Sequence, residues 1–423
     1  MTAVDITPAA TAGAPIPPNR GRWRMTLANR AFGNVNAAAM FVADIADARS
    51  RKLDQAWNKP AVLTFTVDGH SPTAALLAEL TQEVIVWRWD EQAGADQPVF
   101  RGVICQTEDV ISEQSATLNV TCHDYSDVLN RRILTTTMTA TQIEQDTIVA
   151  NLLQRAGPLA ASSSGVSFSP GNNIGLSLTP VGPSGASRNP SGQLRDRTYL
   201  PNQNIGAAIG DLAVVINGFD FDVRPRDPNT STIDLFRVFY PNQGVLRPDV
   251  LLMYGTTIGS LTRSVNSADY SNYIRVLGNN GSSDPNAAQL FAEAWTPDAG
   301  SGTVGAVGLW MTADNAADVS IQSTLNDQVQ GSLALASVLQ PTYSLVFRPG
   351  GYSWGNPNMG DTCPLVIRAG RLNVNTNVRV LGITYDIGDD GQEDVSLTVG
   401  RPDITFADLL TGKNRDIDAL ARR

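Results

Sequence analysis

Val99-Phe100-Arg101-Gly102-Val103-Ile104-Cys105, followed closely by Ser115-Ala116-Thr117-Leu118-Asn119-Val120-Thr121-Cys122, is the pair of segments that decides the fold. Each is short, rich in β-branched residues, and in the second large apolar side chains return at every other position. That is the period of a half-buried strand. Working outward, Ala61-Val62-Leu63-Thr64-Phe65-Thr66-Val67 has the same character and breaks at Asp68-Gly69. Glu83-Val84-Ile85-Val86-Trp87-Arg88-Trp89 is another such run. Arg24-Met25-Thr26-Leu27 and Ala38-Ala39-Met40-Phe41-Val42-Ala43-Asp44 precede them. Strands this short and this closely spaced point to a small antiparallel barrel or sandwich over residues 21–135. Between two of them, Ser71 to Leu80 is expected to form a short helix with Leu76, Leu77 and Leu80 facing inward. Residues 1–20, with Pro15, Pro17 and Pro18, read as an extended N-terminal arm.

The text changes downstream. Over residues 136–255 an α+β module is expected. Thr141 to Arg155 places Ile143, Ile148, Leu152 and Leu153 near one helical face and stops at Gly157-Pro158. The Ser/Gly/Pro-rich stretch 161–193 has few large apolar groups and reads as a long surface loop. Asn204 to Asn217 is a second helix ended by Gly218, and Phe219–Arg224 with Thr232–Tyr240 reads as a hairpin. Asp220 and Asp222 share one face of it by the two-residue period.

Residues 256–341 are mixed. They hold strands Ser260–Asn266 and Asn272–Leu277, an unassigned stretch 289–307, and a helix over 320–339 with Ile321, Leu325, Val329, Leu333 and Val338 at helical spacing. A second β-rich block follows over 342–402, in Thr342–Phe347, Cys363–Arg368, Asn377–Ile387 and Glu393–Gly400. Its last two strands are joined by Gly388-Asp389-Asp390-Gly391-Gln392, a hairpin signal. The strands of 256–278 are expected to complete this second barrel. Residues 403–423 end in an amphipathic helix candidate, Ile404 to Leu420. The predicted class is mainly β with α+β: two small antiparallel β-barrel domains plus a central α+β module.

Composition agrees with this class. Only 17% of the 423 residues are charged, below the roughly 25% of ordinary soluble domains, and 36 Gly and 24 Pro fill the gap. Such a trade favours strands and tight turns, and suits a surface covered by partners. The formal net charge of −10, with no Lys/Arg run, argues against binding along a nucleic acid. No segment reaches the roughly 18 apolar residues that span a bilayer, and the N-terminus lacks the n- and h-regions of a signal peptide. Cys105, Cys122 and Cys363 are too few and too odd for a disulfide framework; they read as buried thiols of a reducing compartment, with a Cys105–Cys122 bridge the alternative.

The search for chemistry returns no catalytic, cofactor-binding or metal-binding residues. His70 sits in the Asp68-Gly69 turn and reads as solvated. His123 lies between Cys122 and Asp124, but neighbours on a strand point to opposite faces, so the Cys122–His123 pair does not make a nucleophile or a metal site. Asp389, Asp390, Glu393 and Asp394 lack the ligand order of a calcium loop and read as a solvated hairpin tip. The glycine-rich stretches 182–192 and 300–308 lack phosphate-loop spacing. Trp87 and Trp89 share a strand face and read as core or interface.

The segments with which this reading began carry a resemblance as well. Phe100-Arg101-Gly102-Val103-Ile104, then Asp124-Tyr125 with Leu129 and Arg131, and then a helix ending near Leu152-Leu153, resembles the first barrel of the tail-tip (baseplate) hub proteins of siphovirus-type tailed phages, also called minor tail proteins. Asn272 to Gly278 resembles the strand that re-enters the later barrel of that family, and Gly360-Asp361 with Val378–Gly400 resembles its closing strands. The match runs over most of residues 20–400 through the order of weak motifs, and the Ala/Pro/Thr/Asp-rich usage resembles phages of high-GC actinobacteria. The resemblance implies a non-enzymatic virion subunit at the tail tip, assembled in the host bacterial cytoplasm. It implies a homotrimer whose two barrels per chain make a six-unit ring stacked on the distal tail protein ring. The C-terminus of the tape measure protein, other minor tail or receptor-binding proteins, and DNA passing without specific binding are the implied partners. No cofactor is implied. A distal ring subunit, a receptor-binding tail protein and, third, a cell-wall hydrolase are the alternatives.

Overall fold

The computed structural model describes residues 22–30, 40–91, 93–156, 159–162, 165–168, 175–177, 179–182, 190–213, 217–226, 233–268, 270–278, 289–299, 307–316, 322–339, 341–389 and 391–400. The expected N-terminal arm and C-terminal helix lie outside them, as does most of the two glycine-rich stretches. Strand accounts for 52% and helix for 13%, so the chain is mainly β as expected.

The first β block is β1 (Trp23–Asn29), β2 (Phe41–Asp44), β3 (Arg49–Ala56), β4 (Val62–Asp68), β5 (Gln82–Asp90), β6 (Ala95–Ile111) and β7 (Ala116–Asp124). The α+β region follows: α1 (Asp127–Asn130), β8 (Met138–Glu144), α2 (Gln145–Arg155), β9 (Leu159–Ser162), β10 (Gly165–Phe168), β11 (Leu194–Tyr199), α3 (Ile205–Ala213), β12 (Asp220–Arg224) and β13 (Leu235–Phe239). Then come β14 (Leu252–Met253), β15 (Ile258–Val265), β16 (Tyr273–Gly278), β17 (Phe291–Trp295), β18 (Met311–Ala316) and α4 (Gln322–Ala336). The second β block is β19 (Pro341–Phe347), β20 (Thr362–Ala369), β21 (Leu372–Ile387) and β22 (Glu393–Gly400).

Alternation builds the main sheet. Leu63, Phe65 and Val67 of β4, Leu118, Val120 and Cys122 of β7, and Val395, Leu397 and Val399 of β22 all turn inward. The two β blocks belong to one 13-stranded sheet, ordered β15-β19-β22-β21-β3-β4-β7-β6-β5-β1-β2, with β20 on β21 and β14 on β20. The joint is β21 against β3, in register from Gly382↔Ala56 to Ile387↔Arg51. Sequence reasoning assigned no strand to β3, because Arg49-Ser50-Arg51-Lys52-Leu53-Asp54-Gln55-Ala56 carries one fully buried apolar side chain, Leu53. The sheet curls: the Trp23 ring of β1 meets the Tyr385 ring of β21 at 5.6 Å, although a run of strands separates them along the sheet.

The described residues form two compact units, one within 22–261 and 344–400 and the other within 262–343. In the first, the α+β region is not a separate module. Val103 and Tyr125 of the β6–β7 region share a core with Leu129, Ile148, Leu152, Leu153, Ile209 and Phe236. In the second, β16 pairs with β17 and β18 in a three-stranded sheet. Of the two strands expected to complete the second barrel, β15 joins the large sheet through β19, but β16 does not.

Other local expectations shift. Ser71 to Leu80 contains a single 3-10 turn, Ala74–Leu76, and Leu76 and Leu80 are exposed. Leu80 takes φ 59° while its N–H donates to Ile104 O, which pins the segment along β6 rather than letting it coil. The helix expected from Thr141 starts at Gln145; Met138–Glu144 is instead β8, paired with β11. Asn204 caps α3 by accepting from Ala207 N–H at 2.8 Å. The stretch 161–193 is more than a surface loop: it holds β10, Leu176 bridges to Asp234 and is fully buried, and Val181 bridges to Arg237. The unassigned 289–307 contains β17.

Candidate functional site: an aromatic face and buried polar joints

Alternation in the three-stranded sheet divides its residues by face. Ile274, Val276, Ala292 and Ala294 pack under Leu325, Val329 and Leu333 of α4. The opposite face carries Tyr273, Phe291, Trp295 and Met311, of which Trp295 is 63% exposed. Tyr273 and Trp295 stand opposite one another and stack with centroids 6.4 Å apart. Arg275 lies 4.1 Å over the Phe291 ring and 3.4 Å from Glu293. Exposed Leu309 and Trp310 lie just before β18, and Trp310 is held by its N–H donating to Asn272 Oδ1 at 2.8 Å. Exposed apolar surface of this kind makes the face a candidate contact site. A second protrusion is the β6–β7 hairpin. From Gln106 its residues are largely exposed, and Ile111 at the tip is 75% exposed.

Three buried polar joints hold the first unit together. Arg101 donates to both Glu83 oxygens at 3.0 and 3.1 Å and lies 3.3 Å from Asp234, while Tyr125 donates its hydroxyl to Glu83. Burial drives Tyr125 up, and drives Asp234 up to about 7, although Arg101 opposes the latter. Arg379 of β21 donates to Asp220 Oδ2 at 2.5 Å and to Gln243 O at 3.0 Å, and lies 4.3 Å over the Trp57 ring. Burial raises the Asp220 carboxyl despite that partner. Arg88 donates to Glu393 Oε1 at 2.7 Å, and Trp23 Nε1 donates to Oε2 at 2.9 Å. Glu393 therefore anchors β22 to β1 and β5, which corrects the solvated-tip expectation for that residue; Asp389 and Asp394 are exposed, and Asp390 lies outside the described residues.

The motif residues have structural work of their own. A side chain on Gly102 would meet the Phe100 ring at 2.3 Å and His123 O at 2.6 Å, so the strand packs too closely for anything larger. Asp124 accepts from Ala61 N–H at 2.8 Å and from the Ser126 hydroxyl at 2.5 Å, tying β7 to β4 and to the turn into α1. Its burial lifts the carboxyl to about 6.

The residues weighed for chemistry scatter. His70 is solvent-exposed, 3.4 Å from Asp68. Trp87 and Trp89 are buried, and Trp87 Nε1 donates to Thr26 Oγ1 at 3.0 Å. All three cysteines are free. Cys122 and Cys363 are buried, the latter pushed up to about 12 by burial, so neither is a ready nucleophile. Cys105 is half-buried and lies beside His123 and Asp127. Sequence reasoning paired His123 with its chain neighbour and missed the thiol on the adjacent strand.

No known sequence family matches the chain, and no curated protein matches it by sequence. Solved structures do. A tail protein from Neisseria meningitidis superposes with TM-score 0.55 at 12% identity, covering 91% of this chain and 98% of its own. The 43 kDa tail protein of prophage MuSo2 from Shewanella oneidensis gives 0.55 at 10% identity, covering 90% and 99%. The chain has a phage tail-protein fold. The prophage tail protein gp18 from Listeria monocytogenes shares it, with TM-score 0.50 at 12% identity over 89% and 94% of the two chains. Among the described residues of this fold, the aromatic face and the β6–β7 hairpin are two exposed features, and the buried joints tie its strands together.

Proposed function

We propose that this chain is a structural subunit of a phage tail, the trimeric hub at its tip. The observation that carries the reading is the likeness in fold to tail proteins over nearly the whole of both chains. The structure joins the two β blocks in one sheet rather than two separate barrels, and a hub would use them as paired halves. In this reading three chains, each with two β blocks, would present six patches to a sixfold tube or distal tail ring, while the rest of the chain would narrow to threefold. Sheet edges left open in one chain would be covered by its neighbours, which removes the hazard of exposed edges. The hub joins the distal ring to tip components, meets the C-terminus of the tape measure protein, and lines a channel through which DNA passes without specific contact. The acidic chain suits such a passage, since it holds DNA weakly. In this reading the protein is not an enzyme, and works in the virion of a phage infecting a high-GC actinobacterium.

The test is mass measurement and negative-stain imaging of the recombinant full chain, alone and with the distal ring protein. A trimer with a central opening that stacks on the ring is expected. Monomers under every condition would overturn the hub. A ring of six identical chains would make it a distal ring subunit, binding to host envelope glycans a receptor-binding protein, and a lytic band on host peptidoglycan a hydrolase.

A further inference from the structure

We propose that Cys105, His123 and Asp127 form a binding site for a borderline-soft divalent metal ion, with zinc the expected occupant. Each residue offers one ligand atom, and the three atoms lie within 4.8 Å of one another.

The local fold brings them together. Along the β6–β7 ladder Val103 pairs with His123 and Ile104 with Cys122, and the next pair is Gln106 with Thr121. Cys105 is therefore the extra residue of a β-bulge, a feature that bends a strand and re-aims a side chain. Ile104 and Cys122 are fully buried on the inner face, and Cys105 stands on the other side with His123. Asp127 comes four residues after His123, just past the turn into α1, and its Oδ2 lies 3.2 Å from His123 Nδ1.

Two of the three ligand atoms have only loose contacts within the protein. His123 Nδ1 is buried, yet no neighbour meets it with hydrogen-bond geometry. Cys105 Sγ finds Val103 O at 3.4 Å, a weak contact for a thiol. Asp127 is held from outside: Arg131 Nε lies 3.1 Å from Oδ2, and Asn130 Nδ2 lies 3.4 Å from Oδ1. Arg131 is more than half exposed, and it sits where an outer partner orients a ligating carboxylate.

The donor set selects the ion. Thiolate, imidazole and carboxylate together suit zinc, whereas calcium and magnesium require oxygen ligands throughout. Two anionic ligands balance the divalent charge. Zinc bonds of about 2.0–2.3 Å bring tetrahedral ligands within about 4 Å of one another, so the three side chains need to close by about an ångström. A fourth position stays open for water. Beside the site, Val128 and Cys105 pack against the core that joins the β6–β7 region to α2 and α3, so an ion here would pin that joint.

The experiment loads the full-length chain, first stripped with chelator, with zinc ion alone and measures retained metal after dialysis. Cobalt ion is then substituted as a spectroscopic probe of thiolate ligation. A single equivalent per chain, a thiolate-to-cobalt charge-transfer band, and a rise in unfolding temperature on adding zinc are expected. Cys105→Ser and His123→Ala should abolish stoichiometric retention, and Asp127→Asn should weaken it at least about tenfold. Cys363→Ala should leave it unchanged. Retention by Cys105→Ser and His123→Ala equal to the unaltered chain would overturn the proposal. So would cobalt binding to the unaltered chain without a thiolate band, a readout that needs no variant to fold.

Discussion

Arg101 Nη1 lies 3.3 Å from Asp234 Oδ1, and both side chains are buried although 133 positions separate them in the chain. One guanidinium serves two carboxylates here, since Glu83 takes two of its hydrogen bonds. Burial works against the guanidinium charge, but Asp234 and Glu83 hold Arg101 above its ordinary value. Asp234 is the weaker claimant. Its Oδ2 has no hydrogen bond, and burial lifts the carboxyl to about 7. The folded value thus lies above the ordinary value of about 3.9. The stability this proton confers is fully present below about pH 4 and is lost as pH rises through about 7. Asp234→Asn fixes the uncharged form. Its stability should therefore gain on that of the unaltered chain by up to about 1.4 kcal/mol per pH unit across that window. Urea midpoints of both chains at about pH 5 and about pH 8 check this, and parallel curves would rule it out.

Glu393 and Asp394 are neighbours with opposite fates. Glu393 is buried among Arg88, Arg22 and Trp23, and Arg88 is itself buried under the Trp354 ring at 4.3 Å. Glu393→Ala removes the nearer of two carboxylates beside Arg88, leaving only the half-buried Glu91 at 3.7 Å, and should cost about 3 kcal/mol. Asp394 is exposed, and Asp394→Ala should stay within about 0.5 kcal/mol. Equal urea midpoints for the two variants would contradict the anchoring role.

These contacts mark the limit of what the sequence discloses. Strands such as β4, β7 and β22 were legible because one face meets core and the other does not, which writes a two-residue period into the chain. Leu325, Val329 and Leu333 disclosed α4 in the same way. β3 stayed hidden because its place between β4 and β21 is set by backbone pairing, and pairing leaves no mark on side-chain type. Glu393 looked like one more charge at a hairpin, since its partners are some 300 or more positions away. The Cys105–His123–Asp127 cluster depends on a bulge, and an extra residue in one strand shows only against its partner.

Leu176 tests how far a bland segment contributes. It lies in a Ser/Gly/Pro-rich stretch, yet it is fully buried in the core with Tyr125, Leu153 and Phe236. The Ser177 N–H donates to Asp234 O at 2.8 Å and Asp234 N–H to Gly175 O at 2.8 Å, so the chain is fastened on both sides of it. A cavity at so fixed a site cannot easily collapse. Leu176→Ala should lower stability by about 2–5 kcal/mol, read from the urea midpoint. A change under about 0.5 kcal/mol would return the stretch to the role of a surface loop.

Gly360 and Asp361 clamp the chain that follows the β12–β13 hairpin. Asp361 Oδ1 accepts from Val245 N–H at 2.9 Å, and Gly360 O accepts from Arg379 Nε at 3.2 Å. Gly360 has φ +81°, and a Cβ there would meet Gln243 O at 2.5 Å. Its neighbour across the gap, Gly244, also has positive φ and approaches the Gly360 backbone as closely. Gly360→Ala therefore adds a left-handed backbone cost of about 1–2 kcal/mol to an overlap with main chain worth about 1–3 kcal/mol. Gly391 separates the two effects, because its φ is +79° but nothing lies within 4 Å of a Cβ built there. Gly391→Ala should show the backbone cost alone. The difference in urea midpoint between the two variants measures the overlap, and its absence would mean that the 243–245 segment yields without strain.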